Sequence, residues 1–107
     1  MTDPARIVRL RLRSSSAGLL AVLDAYSFKV KGRDFAHLLV EDPLSAYRVV
    51  LEYTRGDRRK AKFLLHNILI ALAGSTIEAL EAVEALDKGD PGPVERIVRR
   101  VASGSAR

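Results

Sequence analysis

The chain has no cysteine, no tryptophan and no glutamine, and asparagine occurs once, at Asn67. Without cysteine, disulfides, thiolate chemistry and cysteine-ligated zinc are excluded. Long apolar runs are missing as well. The longest, over residues 63–73, spans eleven residues and includes His66 and Asn67, too short and too polar to cross a bilayer. Residues 1–6 carry no apolar core of the signal-peptide kind, so a cytoplasmic location and no membrane partner are expected. The shortage of thermolabile Asn, Gln and Cys beside abundant charge fits a prokaryotic or archaeal source.

Catalytic signatures are lacking too. There is no G-x-S-x-G or comparable nucleophile setting, and two histidines with scattered acids form no acid–base pair at usable spacing. No catalytic residue is assigned, and no cofactor or small-molecule substrate is expected. Asp34, His37 and Glu41 share one face of a short helix, but a metal site needs a fuller ligand set, and no metal is assigned. His66 and Asn67 interrupt the most apolar helix and read as satisfied core polar groups.

What the chain does have is positive charge. Its 107 residues include 18 Lys and Arg against 13 Asp and Glu, a formal net charge of +5 with pI near 10.0. The length points to one domain, and 48% hydrophobic content is that of a globular chain. The charge is segregated: residues 1–33 hold seven cations and two acids, residues 63–90 one cation and five acids. Such halves can neutralise one another within one chain or between two.

Two basic clusters stand out. Arg9, Arg11 and Arg13 alternate with Val8, Leu10 and Leu12, the period-2 pattern of a half-buried strand. As a strand, the arginines would project from one face about 6.6 Å apart, near the spacing of successive phosphates. Two ordinary alternatives exist: pairing with Glu78, Glu81 and Glu84, or protection of an edge strand. A helix is the competing conformation, because Asp3-Pro4 resembles an N-cap with proline at the first helical position. No aromatic residue interleaves with these arginines, so no base-stacking platform is visible there. The second cluster, Arg58, Arg59, Lys60 and Lys62, opens the most apolar helix, at the end where the dipole disfavours cations. Either an anion sits there, or the side chains extend into water.

The remaining punctuation predicts helices. Ser14-Ser15-Ser16 offers a cap before a helix over residues 17–26. Asp34 starts a short one with Phe35, Leu38 and Leu39 inward. Asp42 and Pro43 start the next, with Leu44, Tyr47, Val50 and Leu51 on one face and an Arg48–Glu52 pair. Asp57 caps the central helix, apolar nearly all round. Ser75 and Glu78 form a capping box ahead of a helix with Ile77, Leu80, Val83 and Leu86 inward. A Gly/Pro-rich breaker at residues 88–93 precedes a last helix, residues 93–102, with Val94, Ile97, Val98 and Val101 apolar.

The expected fold is mainly α: a compact bundle of about five short helices, with a short N-terminal β-strand or ribbon left open. It is a single domain over residues 1–107, with a basic segment at 1–13 and a frayed tail at 103–107. Two functions are carried forward. One is a small basic non-enzymatic domain that contacts nucleic-acid phosphates through Arg9, Arg11, Arg13, Arg58, Arg59, Lys60 and Lys62. The other is a protein-interaction or homo-oligomerisation module, most simply a homodimer, built on the apolar helices and the acidic line.

Overall fold

Short polar side chains placed just ahead of apolar segments set the helix starts. A computed structural model describes residues 3–104, which form six helices and no strand. These are α1 (Pro4–Lys31), α2 (Phe35–Glu41), α3 (Pro43–Tyr53), α4 (Arg58–Ala73), α5 (Thr76–Asp87) and α6 (Gly92–Gly104). The first five have side-chain N-caps. Asp3, Asp34, Asp42, Asp57 and Ser75 accept from the backbone N–H groups of Ala5, His37, Ser45, Lys60 and Glu78 at 2.7–3.3 Å. Each bond satisfies a donor that the first helical turn leaves free. Pro4 and Pro43 occupy first-turn positions, and Gly32 and Gly74 close α1 and α4 in the left-handed conformation, both at φ 72.

The N-terminal segment is helical, which corrects the strand or ribbon reading. Asp3 and Pro4 start a helix that buries Ala5, Val8 and Leu12 at i, i+3 and i+7 while Leu10 stays exposed. The only candidate pairing partner, residues 28–31, is itself helical, so a strand here would have no ladder to join.

α1 is not one straight rod. Ser16 has φ −143 and ψ 41, outside the helical region. The Ser14 and Ser15 hydroxyls donate to the Arg11 carbonyl at 3.2 and 3.1 Å, side-chain bonds that bend helices. Both terminal guanidinium nitrogens of Arg9 lie 3.0 Å from Asp24 Oδ2. In a straight helix those positions would be about 22 Å apart, so the two arms of α1 fold back on each other at Ser16. Arg9 also lies 3.5 Å from Asp34. Asp24 accepts from the Phe35 N–H at 2.8 Å, so two carboxylates serve the start of α2. Burial lifts the Asp24 carboxyl above its ordinary value, against the pull of the Phe35 N–H and Arg9. At Asp34 burial pulls the same way, but bonds from the His37 N–H and ring, together with Arg9, outweigh it and hold that carboxyl below its ordinary value.

One apolar cluster draws on all six helices, with Leu12, Leu23, Phe35, Leu39, Val50, Leu65, Ile68, Leu69, Leu86 and Ile97 fully buried. α4 packs against α1, α3, α5 and α6. The radius of gyration is 12.4 Å, close to the ~13 Å of a compact chain this long. Phe35, Leu38 and Leu39 of α2 and Val94, Ile97, Val98 and Val101 of α6 are inward, as their spacing predicts. Two faces differ from expectation. α4 is apolar on its inner side only, for Phe63 and Asn67 are exposed. α5 is rotated so that Ala79 and Ala82 accompany Val83 and Leu86 inward, leaving Ile77 72% and Leu80 49% exposed. Alanines let helices approach closely, which the bulkier pair would prevent. Glu78 does not close the capping box; its carboxylate takes two bonds from Arg100 at 2.6 and 2.9 Å, tying α5 to α6. No Arg48–Glu52 ion pair forms among the described residues. Ser103 and Gly104 continue α6, and the rest of the expected tail, 105–107, lies outside the described residues. No helix among the described residues is long and apolar enough to cross a membrane.

Three substitutions test this packing. Arg9→Met leaves two half-buried carboxylates without their shared cation and is expected to cost about 2 kcal/mol in urea unfolding. Arg48→Met on exposed α3 surface should stay within about 0.5 kcal/mol. Ser27 is fully buried with an unpartnered hydroxyl, so Ser27→Ala is expected to stabilise by about 1 kcal/mol in the same assay.

Candidate nucleic-acid interface

Helical geometry disperses the N-terminal arginines. Successive residues turn by about 100° in a helix, so Arg9 and Arg13 share a face and Arg11 points the other way. Arg9 is consumed by Asp24 and Asp34. Arg13 is exposed beside Ala17, Leu20 and Ala21, where the arms of α1 meet. Arg11 is exposed near Ile7, Leu10 and Ser14. The phosphate-spaced row expected of a strand therefore does not exist. The pairing imagined for it is made elsewhere: Glu78 with Arg100 and Glu84 with Lys62.

The basic block of α4 divides by face. Arg58 binds both carboxylate oxygens of Asp87, Nε at 3.0 Å and a terminal nitrogen at 2.8 Å. Lys62 lies 3.0 Å from Glu84 and 3.8 Å from Asp87. The Tyr47 hydroxyl donates to Asp87 at 2.6 Å. These contacts set α5 antiparallel to α4, with the C-terminal end of α5 beside the N-terminal end of α4. Cations at the start of α4 are thus balanced by a neighbouring carboxylate and the negative end of the α5 dipole. The Tyr47 and Arg58 bonds hold the Asp87 carboxyl below its ordinary value. Burial and the Asp87 bond push the Tyr47 phenol up to about 12.

Arg59 and Lys60 lie on the opposite side of the same turn. With Arg55 they line an open groove of about 710 Å³ whose apolar lining is Tyr53, Phe63 and Leu64. None of the three cations has an acidic partner among the described residues. Phe63 is 66% exposed and Tyr53 41%. Tyr53 is held edge-to-face against Tyr26, ring centroids 5.6 Å apart at 72°. The end of the groove is a tight turn: Arg55 and Gly56 both take positive φ, 59 and 82. The Thr54 hydroxyl lies within bonding distance of the Leu51 and Asp57 carbonyls, 3.0 and 3.1 Å.

Of the seven residues singled out in the sequence, Arg59 and Lys60 meet in this groove. Arg58 and Lys62 are turned to α5, Arg9 is internal, and Arg11 and Arg13 stand apart. Arg55, Tyr53 and Phe63 were not singled out as site residues. Their signal was present as two aromatics bracketing the basic block ten positions apart. His66 is half-buried at the surface with Nε2 3.2 Å from the Thr76 carbonyl, and Asn67 is exposed, so neither is a core polar group. His37 Nδ1 lies 2.9 Å from Asp34, while Glu41 pairs with Arg33. No cluster of three metal-ligating side chains occurs among the described residues. Comparison with known proteins finds no matching family model, no matching curated protein and no matching solved structure.

The Tyr47–Asp87 contact has a pH signature. Asp87 titrates below its ordinary 3.8 when folded, so its contribution is complete above that pH and is lost as pH falls through the folded value. The phenol titrates at about 12 folded against 10.0 unfolded, so its contribution is complete below pH 10 and is lost as pH climbs toward 12. Tyr47→Phe is expected to cost about 1–2 kcal/mol at neutral pH. The gap to the parent protein should shrink above pH 10, as read from unfolding curves across pH.

Proposed function

We propose that the chain is a single small, non-enzymatic basic domain, spanning residues 1–107, that associates with nucleic acid through phosphate contacts. The groove cations Arg55, Arg59 and Lys60 are the core of the contact, with Arg11 and Arg13 as outlying members. The observation that carries this reading is the gathering of unpaired cations around one exposed aromatic groove. Arg9, Arg33, Arg58, Lys62 and Arg100 are each matched to a carboxylate, whereas three adjacent cations around an exposed aromatic surface are not. Unmatched, clustered cations release counterions when they meet phosphates, and that release supplies most non-specific nucleic-acid affinity. Arg9, Arg58 and Lys62 are left out of the contact, because using them would break pairs that hold the fold.

A second reading has its own observation. Ile77 and Leu80 project from α5 beside exposed Glu81, an apolar and acidic ridge suited to a second copy of the chain or another protein.

One experiment addresses both: binding of a labelled oligonucleotide across a salt series, with oligomeric state measured on the same sample. Three phosphate contacts predict that log K falls by about 2 per log unit of salt on a single strand. Arg59→Glu with Lys60→Glu should reduce affinity at least tenfold without loss of thermal stability, since neither residue is paired. Absence of saturable binding at low salt overturns the nucleic-acid reading. A stable dimer under those conditions, lost on Leu80→Glu, favours the second.

A further inference from the structure

Phosphate contacts alone do not account for the floor of the groove. Three unpaired cations, one in the turn before α4 and two in its first turn, would serve a phosphate backbone equally well on a flat, polar surface. Here they share an open concavity of about 710 Å³ with Tyr53, Phe63 and Leu64. Phe63 stands on the side of α4 opposite the buried Ala61, Leu65 and Ile68, with two-thirds of its surface in water.

We infer that the groove takes a single strand, with one unstacked base lying against Phe63 and the flanking phosphates held by Arg55, Arg59 and Lys60. The inference rests on the nucleic-acid reading above and adds the form of nucleic acid that is bound. Three features favour a single strand over a duplex. A duplex is read by a convex element entering a groove of the nucleic acid, and this surface is concave. Bases inside a duplex are stacked on one another and cannot reach Phe63, whereas every unpaired base has a π-face and stacks on an aromatic ring without regard to sequence. Arg55, Arg59 and Lys60 line the same concavity as Phe63, which brings phosphates flanking a stacked base within their reach.

The site is also built to stay in place. Tyr53 is fixed by its edge-to-face contact with Tyr26 at 5.6 Å. Asp57 occupies the first-turn N–H of Lys60 at 3.1 Å, so anion binding falls to the side chains rather than to the helix end. Thr54 sits against two carbonyls of the turn, which fixes the loop that carries Arg55. A turn and a neighbouring ring held in place spend little ordering entropy on binding.

The chain lacks tryptophan, so Phe63→Trp introduces a unique fluorophore on the platform. The full-length variant would be titrated with a mixed-sequence single strand of about ten nucleotides, with the duplex of the same sequence, and with inorganic polyphosphate. Stacking predicts fluorescence quenching by the single strand, and none by duplex or polyphosphate at equal occupancy. In parallel, Phe63→Leu should weaken single-strand binding about tenfold while leaving the salt slope unchanged. Arg59→Ala should instead lower the slope and weaken all three ligands. Equal binding of single strand, duplex and polyphosphate, with no response to Phe63→Leu, would overturn the base-stacking inference and leave the phosphate reading standing. If polyphosphate binds and neither nucleic acid does, both are overturned.

Discussion

A salt bridge between two residues of one helix, fifteen positions apart, ties the two arms of α1 together. Arg9 reaches Asp24 only because α1 doubles back at Ser16, and the same guanidinium lies beside Asp34, the N-cap of α2. The fold-back and the start of α2 are therefore linked. The second arm of α1 also carries Tyr26, which props Tyr53 at the edge of the groove. Ion pairs at protein surfaces usually contribute little. This one is half-buried, shared among three groups and bonded to backbone at the same carboxylates, and those conditions give a charged contact structural weight.

Charge in this chain is divided between structure and surface. Several cations are spent internally: Arg9 on the fold-back, Arg58 and Lys62 on the α4–α5 contact, Arg100 on α5–α6. Cations at the N-terminal end of α4 oppose that helix's own dipole. The antiparallel placement of α5 supplies the compensation through Asp87 and the end of its dipole. Only the side of the turn that faces away from α5 is left with uncompensated charge, and there the aromatic surface lies.

Local signals were legible and non-local ones were not. Asp3, Asp34, Asp42, Asp57 and Ser75 could be read as caps because a cap is a bond within a few residues. The inward residues of α2 and α6 followed from spacing. The serine triplet falls at a real break, since Ser16 leaves the helical region. The Ser14 and Ser15 hydroxyls, however, donate to the Arg11 carbonyl instead of capping the second arm, which runs on to Lys31. The alternation around Arg9, Arg11 and Arg13 misled because Val8 and Leu12, four apart, satisfy a helix face as readily as Val8, Leu10 and Leu12 satisfy a strand. Only the lack of a partner strand decides between them. On α5 the sets Ile77/Leu80 and Ala79/Ala82 both lead into Val83 and Leu86. Side-chain size favours the first and the closeness of α4 selects the second. The groove escaped notice because Tyr53 and Phe63 belong to different helices and meet only across the turn at Arg55 and Gly56.

The outward turn of α5 bears on how copies of the chain behave in crowded solution. Ile77 and Leu80 present oily surface that would draw neighbours together, and a net charge of +5 holds like-charged copies apart at low ionic strength. That repulsion is long-ranged and electrolyte collapses it to within about 8 Å near physiological ionic strength, whereas the attraction between apolar ridges persists. Colloidal stability therefore falls along the same axis on which the proposed phosphate affinity would fall. On the proposed reading, an anionic polymer bound in the groove would cancel the net charge locally, and its length and stoichiometry would then govern whether the protein stays dispersed or condenses.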